Sequence, residues 1–174
     1  MIDEVVKELR WISGLPTNRS DLIVSVQWGT RYDVQFKDIV SSLDSWKRKG
    51  YHNSLFSWAT VTNNMEDLFT AIKESGKPII IVGPKYLERL FTNLSGHVVT
   101  STEKCWLEQD RLEADLEILL QRLENPIVMY ACAISAKLMI CKNYYKYGDS
   151  ITQLDMGANL NPYVNVPIRA WHNI

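Results

Sequence analysis

In the second half of the chain, short apolar runs alternate with longer segments in which apolar and polar residues are mixed as in an amphipathic helix. Continuous apolar runs of about four to eight residues favour strands that are buried on both faces, whereas apolar residues spaced three and four apart favour helices that pack on a sheet. The predicted strands are 78–82, 97–100, 126–132 and 150–155, and the predicted helices are 65–74, 84–91, 106–123 and 134–147. This regular alternation of strand and helix predicts right-handed crossovers between parallel strands.

The pattern before residue 62 is less regular. It predicts a helix over 5–12, a short strand over 22–26, an amphipathic helix over 34–49 and a strand over 54–61. We therefore expect one α/β domain over residues 1–174 with a Rossmann-like, mainly parallel sheet and helices on both faces. Residues 62–174 are expected to form its best-defined β/α repeats.

Composition narrows the class of protein. A chain of 174 residues is long enough for one buried core, and apolar and charged fractions of 46% and 22% are those of a globular protein. Lys and Arg number 19 against 20 Asp and Glu, which disfavours extended binding to nucleic acid. No apolar run approaches the roughly 18 residues of a membrane span, and the first residues lack the pattern of a secretory signal. We expect a cytoplasmic protein, and a homo-oligomer is compatible with this composition.

Candidate chemistry is expected at the carboxyl ends of the strands, because ligands of open parallel sheets bind where the loops converge and helix N-termini meet anions. The first such turn contains Gly83, Pro84 and Lys85. Gly83 would allow close approach of a phosphate to the backbone, and Lys85 would add positive charge. The alternative is that Gly83 only relieves a tight turn.

Two further turns carry polar residues. Ser135 and Lys137 lie at the start of the predicted helix 134–147, where they could meet an anion, although small residues there also serve helix–sheet packing. Asp155 ends the last predicted strand and Gly157 follows it. Asp155 could accept hydrogen bonds from sugar hydroxyls or could cap the turn.

Two residues are candidates for an acid or base: Asp155 of the third turn, and His52 in a polar loop outside the turns. The alternative for His52 is an ordinary surface residue. Arg169 in the C-terminal tail could fold over the site and bind substrate, or it could belong to a frayed or packing tail. Three cysteines without metal-ligand spacing provide no metal site.

Four short motifs over residues 69–172 occur in a characteristic order: 79–84, 98–106, 127–138 and 154–158. Their order resembles the C-terminal part of the GT-D-type glycosyltransferases, bacterial enzymes that use nucleotide sugars and contain a Rossmann-like domain. The resemblance implies that the last two turns form a donor pocket. It assigns nucleotide-sugar contacts to Ser135, Lys137, Asp155 and Gly157.

The chain departs from this family in two places. The family opens with an acid- and glycine-rich motif, resembling Gly-Asp-Gly-Glu, that supplies its metal-binding acids, and residues 1–61 contain only Asp21 and Asp33 without those glycines. A divalent cofactor, Mn²⁺ or Mg²⁺, therefore stays an alternative to activity without a metal. In addition, Ala133 stands where the family's strand–helix turn has a glycine.

Three functions follow as alternatives. The first is a glycosyltransferase-like protein that binds a nucleotide sugar and transfers the sugar to an unknown acceptor. The second is a non-catalytic module that binds a nucleotide or sugar phosphate, of the kind that a viral or accessory protein carries. The third is self-association or a scaffold role that uses the Trp-rich N-terminal half.

Overall fold

A computed structural model describes residues 24–25, 49–50, 65–102 and 104–165 of the chain. The chain divides into two compact units, Met1–Met65 and Glu66–Ile174, and each is described by itself. In the first unit, β1 (Val24–Ser25) pairs in parallel with β2 (Lys49–Gly50). The strand predicted over 22–26 thus contains β1. The expectation of one domain over 1–174 stays a prediction.

Several predicted features lie outside the described residues. These are the helix over 5–12, most of the helix over 34–49, the strand over 54–61, and the candidate site residues His52 and Arg169.

The described chain from residue 65 to residue 165 is an α/β unit of Rossmann-like type, as predicted. Its regular elements are α1 (Met65–Glu74), β3 (Ile79–Pro84), β4 (Gly96–Thr100), α2 (Gln109–Leu120), β5 (Ile127–Tyr130), α3 (Ala133–Tyr147) and β6 (Thr152–Asp155). The four strands form one parallel sheet in the order β4-β3-β5-β6. None of the helices in this part of the chain is long and apolar enough to span a membrane.

Strand β3 lies in the interior of the sheet and pairs with strands on both sides. It pairs with β4 up to Pro84 opposite Thr100 and with β5 up to Val82 opposite Tyr130. Strand β5 pairs with β6 up to Tyr130 opposite Asp155. The chain must therefore cross over β3 between β4 and β5, so the carboxyl ends of β3 and β5 flank the topological switch point of the sheet.

One face of the sheet is covered by α2 and α3. Alternate residues of each strand point to the same face. Buried residues of this face and of the two helices form one cluster that includes Ile80, Val82, Val98, Val128, Tyr130, Leu112, Leu116, Leu120, Ala136 and Met139. Each large apolar side chain buried in this way stabilises the fold by about 1.5–3 kcal/mol relative to leaving it exposed.

The opposite face is covered by α1 and by the segments that follow β3 and β6. A Cβ atom built on Gly83 would point at Leu87, which places Leu87 on this second face. The Phe69 ring of α1 packs edge-on against Phe91 at 5.7 Å and against Tyr163 at 5.0 Å between ring centroids. These contacts confirm that helices cover both faces.

Two predicted helices begin differently from expectation. The helix predicted over 84–91 is wrong at its start, because Pro84 has ψ 149° and still belongs to β3, and Lys85–Arg89 forms a 3-10 helix. The helix predicted over 106–123 begins with a 3-10 segment, Cys105–Glu108, and becomes α-helical at Gln109. The left-handed φ of 55° at Lys104 turns the chain into that segment.

We expect the substitution Gly83→Ala to destabilise the protein. The added Cβ would lie 2.8 Å from Leu87 Cδ1 and 3.1 Å from Ala131 Cβ, which is closer than packed carbon atoms approach. Overpacking of this kind lowers the free energy of unfolding by about 1–3 kcal/mol, measurable by urea denaturation. The same substitution in a Leu87→Ala background should cost less. An unchanged stability of the single variant would contradict this packing.

Candidate functional site

The structure brings together two of the residues that the sequence predicted to bind a ligand. Lys137 Nζ donates a hydrogen bond to Asp155 Oδ2 at 2.9 Å. Asp155 ends β6, and Lys137 lies one turn into α3. Both face the same side of the sheet, since Gln153, two residues before Asp155, donates to the Ile140 carbonyl of α3. The contact therefore joins the second and third predicted turns at the carboxyl edge of β5 and β6.

The two oxygens of the Asp155 carboxylate differ in their hydrogen bonds. Oδ1 is buried and accepts no hydrogen bond within the part of the chain that the structure describes. The Asp155 side chain is 19% exposed, and Lys137 beside it is 43% exposed. A buried acceptor without a donor is costly. A hydroxyl or N–H donor of a ligand at this position would satisfy it.

The first residue of α3 has an unusual backbone conformation. Ala133 has a φ of 50°, in the left-handed region that glycine adopts readily and that costs other residues about 1–2 kcal/mol. Ala133 is exposed and directly follows Cys132, which makes no side-chain hydrogen bond to cap the helix. The turn thus has a backbone conformation that glycine would adopt at lower cost than alanine. It also presents the positive end of a 15-residue helix at the carboxyl edge.

Ser135, also predicted to bind a ligand, faces inward. Its side chain is fully buried, and its hydroxyl lies 3.8 Å from Cys105 Sγ. Cys105 Sγ in turn donates to the Cys132 carbonyl at 3.1 Å. The Ser135 hydroxyl therefore belongs to the packing between α3 and the segment Cys105–Glu108. The structure gives it no open approach comparable to that of Lys137.

Burial and nearby negative charge both raise the pKa of the Cys132 thiol. Removal from water raises the pKa of this thiol, the neighbouring Cys105 and Asp155 raise it further, and the Lys137 ammonium lowers it. Cys132 is therefore near both Cys105, which donates to its carbonyl, and the pair formed by Lys137 and Asp155. The sequence analysis did not assign Cys132 to the site, although its position at the end of the predicted strand 126–132, directly before α3, was a signal.

The remaining predicted residues lie at the same edge but apart from the pair. Gly83 is buried in β3, and the space beside it is filled by Leu87 and Ala131. Lys85 is exposed at the start of the 3-10 helix that follows β3. Gly157 has a φ of 54° and begins the 3-10 helix Gly157–Val164 after β6, so it turns the chain immediately after Asp155.

The residues at this edge do not fit a divalent cation such as Mn²⁺ or Mg²⁺. Such ions take several oxygen ligands, and the Lys137 ammonium already engages one carboxylate oxygen of Asp155. Within residues 65–102 and 104–165, no group of three or more His, Cys, Asp or Glu side chains could hold a metal ion. We derive no chemistry through a metal at this site.

A concave surface of about 350 Å³ lies elsewhere on the unit. It is lined by Glu88, Phe91, Thr92, Leu94, Ser95, Gly96 and His97. These residues surround the beginning of β4, whereas the predicted turns lie at the carboxyl ends of the strands. His97 Nε2 in this surface is already within 3.0 Å of the Gly83 carbonyl. The ion pair of Lys137 and Asp155 lies at the carboxyl edge, away from this concave surface, so we take the carboxyl edge as the candidate ligand site.

Thiol accessibility tests the packing around the site. All three cysteines are buried and none forms a disulfide, and the raised pKa of Cys132 leaves little of this thiol as thiolate. We expect Ellman's reagent at pH 8 to modify the native protein far more slowly than the same protein in urea. Immediate reaction of Cys132 in the native protein, identified by mass spectrometry of the labelled peptides, would contradict this packing.

Comparison of the chain with protein-family models, with curated proteins and with solved structures gives no match. The resemblance to GT-D-type glycosyltransferases therefore stays a prediction from the sequence.

Proposed function

We propose that this chain binds a phosphorylated sugar, of which a nucleotide sugar is one example, at the carboxyl edge of β5 and β6. One observation carries the proposal: Lys137 and Asp155 form an ion pair at this edge, while Asp155 Oδ1 is buried and has no donor among the residues that the structure describes. A ligand that offers both a hydroxyl group and a phosphate matches this arrangement of a free acceptor next to a half-exposed cation.

Each residue of the pair has a defined part in binding. An ammonium group has three donors, and the bond to Asp155 uses one, so Lys137 Nζ can donate to a phosphate oxygen as well. The N-terminus of α3, which opens at Ala133 on the same turn, adds the partial positive charge that favours an anion. Asp155 Oδ1 accepts the hydrogen bond of a sugar hydroxyl.

The geometry supports binding more directly than transfer. A carboxylate held by an ammonium group is well placed to orient a hydroxyl, whereas the candidate role of Asp155 as an acid or base rests on the sequence alone. Sugar transfer stays the expectation that the resemblance implies. Release of nucleoside diphosphate from a nucleotide sugar, measured with and without Mn²⁺ or Mg²⁺, distinguishes a transferase from a binding module.

Calorimetric titration of the full chain with uridine and deoxythymidine diphosphate sugars tests the proposal. We expect saturable binding to the wild-type protein. The variants Asp155→Asn and Lys137→Met should bind at least about tenfold more weakly, because a hydrogen bond to a charged group contributes about 1.5–3 kcal/mol. Both variants should fold, because neither substitution removes an apolar side chain from the core and Lys137 is 43% exposed, and circular dichroism checks this.

The variant Lys146→Met provides a matched control. Lys146 forms the same type of ion pair, with Glu117, near the other end of α3. It should bind the ligand as the wild-type protein does. The proposal fails if none of these nucleotide sugars binds, or if Asp155→Asn, Lys137→Met and Lys146→Met bind equally well.

A further inference from the structure

A series of hydrogen bonds links β5, β6 and α3 beside the proposed site. Asn143 Nδ2 of α3 donates to the Tyr130 hydroxyl at 3.1 Å, and this hydroxyl donates to Gln153 Oε1 of β6 at 2.8 Å. Gln153 Nε2 then donates to the Ile140 carbonyl of α3 at 3.3 Å. The series, which we call the Tyr130 network, begins and ends on the same helix and therefore ties β5 and β6 to α3.

The directions of these bonds follow from the chemistry of the groups. A carbonyl only accepts, so the Gln153 amide nitrogen faces Ile140 and its oxygen faces Tyr130. The Tyr130 hydroxyl must then donate to Gln153, and its lone pairs accept from Asn143. Tyr130 is fully buried, and burial raises the pKa of its hydroxyl, so the donated proton is retained. These bonds fit together in one arrangement, and a satisfied buried network of this kind is rigid.

The Tyr130 network lies next to the ion pair of the proposed site. Gln153 and Asp155 are two residues apart on β6 and point to the same face of the sheet. Gln153 meets α3 at the Ile140 carbonyl. Asp155 meets the same helix at Lys137, three residues earlier, so the two contacts lie within one helical turn of each other. Tyr130 is also the register partner of Asp155 in the sheet.

The ion pair alone does not fix the position of Asp155. The Lys137 side chain is 43% exposed, and an ion pair in contact with water contributes little to holding its two partners together. Among the described strands, β6 lies at the end of the sheet and pairs only with β5. Backbone pairing sets β6 along β5, whereas the distance of β6 from α3 depends on the side chains between them. The Tyr130 network provides such a contact.

From this arrangement we infer that Tyr130 is a positioning residue for the ligand site. Its hydroxyl holds Gln153, and Gln153 holds β6 against α3. Asp155 is thereby kept beside Lys137, with Oδ1 left for a ligand. The inference rests on the proposed function and adds to it the residues that keep the site assembled. Tyr130 itself is fully buried and acts on the ligand only through Asp155.

The position of Asp155 can be measured without a ligand from the ¹³C resonance of its carboxylate, which responds to the neighbouring ammonium group. Tyr130→Phe and Gln153→Met each break the network with little change in side-chain size. We expect both to move this resonance towards its value in Lys137→Met. Tyr147→Phe is the matched control, because it removes a tyrosine hydroxyl from a residue packed on the same core cluster near the other end of α3. It should leave the resonance unchanged.

The effect on binding is measured by calorimetric titration of the full chain with ribose 5-phosphate, which has both hydroxyl groups and a phosphate. Tyr130→Phe should lower the affinity about threefold to tenfold, as expected for the loss of one hydrogen bond. Gln153→Met should cause a similar loss, and the double variant should lose no more than either single variant, because both changes break one network. Tyr147→Phe should bind as the wild-type protein does.

Circular dichroism checks the folding of each variant. Gln153→Met carries the test if Tyr130→Phe does not fold, because Gln153 is only partly buried.

A wild-type carboxylate resonance or wild-type affinity in the folded network variants overturns the positioning role and leaves the proposed function intact. Additive losses in the double variant, or an equal resonance shift in Tyr147→Phe, also overturn it, because the residues would then not act as one network on Asp155. If the wild-type protein binds neither ribose 5-phosphate nor a nucleotide sugar, the proposed function fails, and the role of Tyr130 in binding fails with it.

Discussion

The parallel pairing of β3 with both β4 and β5 is the constraint on which the rest of the unit depends. A strand with hydrogen-bonded neighbours on both sides and helices on both faces has no access to water, and β3 is accordingly buried along its full length. The same pairing forces the chain to cross β3 between β4 and β5. The segment Cys105–Glu108 follows β4, and the turn that begins α3 follows β5. Both therefore lie at the carboxyl edge of the sheet, next to the switch point that this crossover creates.

Because side chains fill the switch point between β3 and β5, the charged groups lie one strand further along the sheet, at β5 and β6. Leu87 and Ala131 fill the space beside Gly83, and Cys105 reaches the Cys132 carbonyl from the helix side. The crevice between β3 and β5 is therefore occupied by the protein's own side chains. The charged groups lie between β5 and β6 instead, where α3 and the last strand bring an ammonium and a carboxylate together. The general rule for parallel sheets predicts a ligand at the carboxyl edge, and local packing places the charged pair between β5 and β6 along that edge.

The sequence predicted the strands well because their signal is local: a short apolar run bounded by polar residues identifies a buried strand without knowledge of its neighbours. It predicted the contact between Lys137 and Asp155 only as two separate candidate residues, since their proximity depends on β6 lying beside β5. The left-handed conformation of Ala133 could not be predicted, because alanine favours the right-handed helix and tertiary structure imposes the turn. The helix expected after Pro84 was wrong because the same apolar spacing is compatible with a 3-10 helix.

NMR chemical-shift mapping tests most directly whether a phosphorylated sugar binds at the carboxyl edge of β5 and β6, as we propose. With isotope-labelled full-length protein and assigned backbone amides, titration with a uridine diphosphate sugar should shift resonances around Ala133, Lys137 and Asp155. Residues at the beginning of β4, around His97, should stay unchanged. Shifts confined to the concave surface at His97, or no shifts at saturating ligand, would contradict the account.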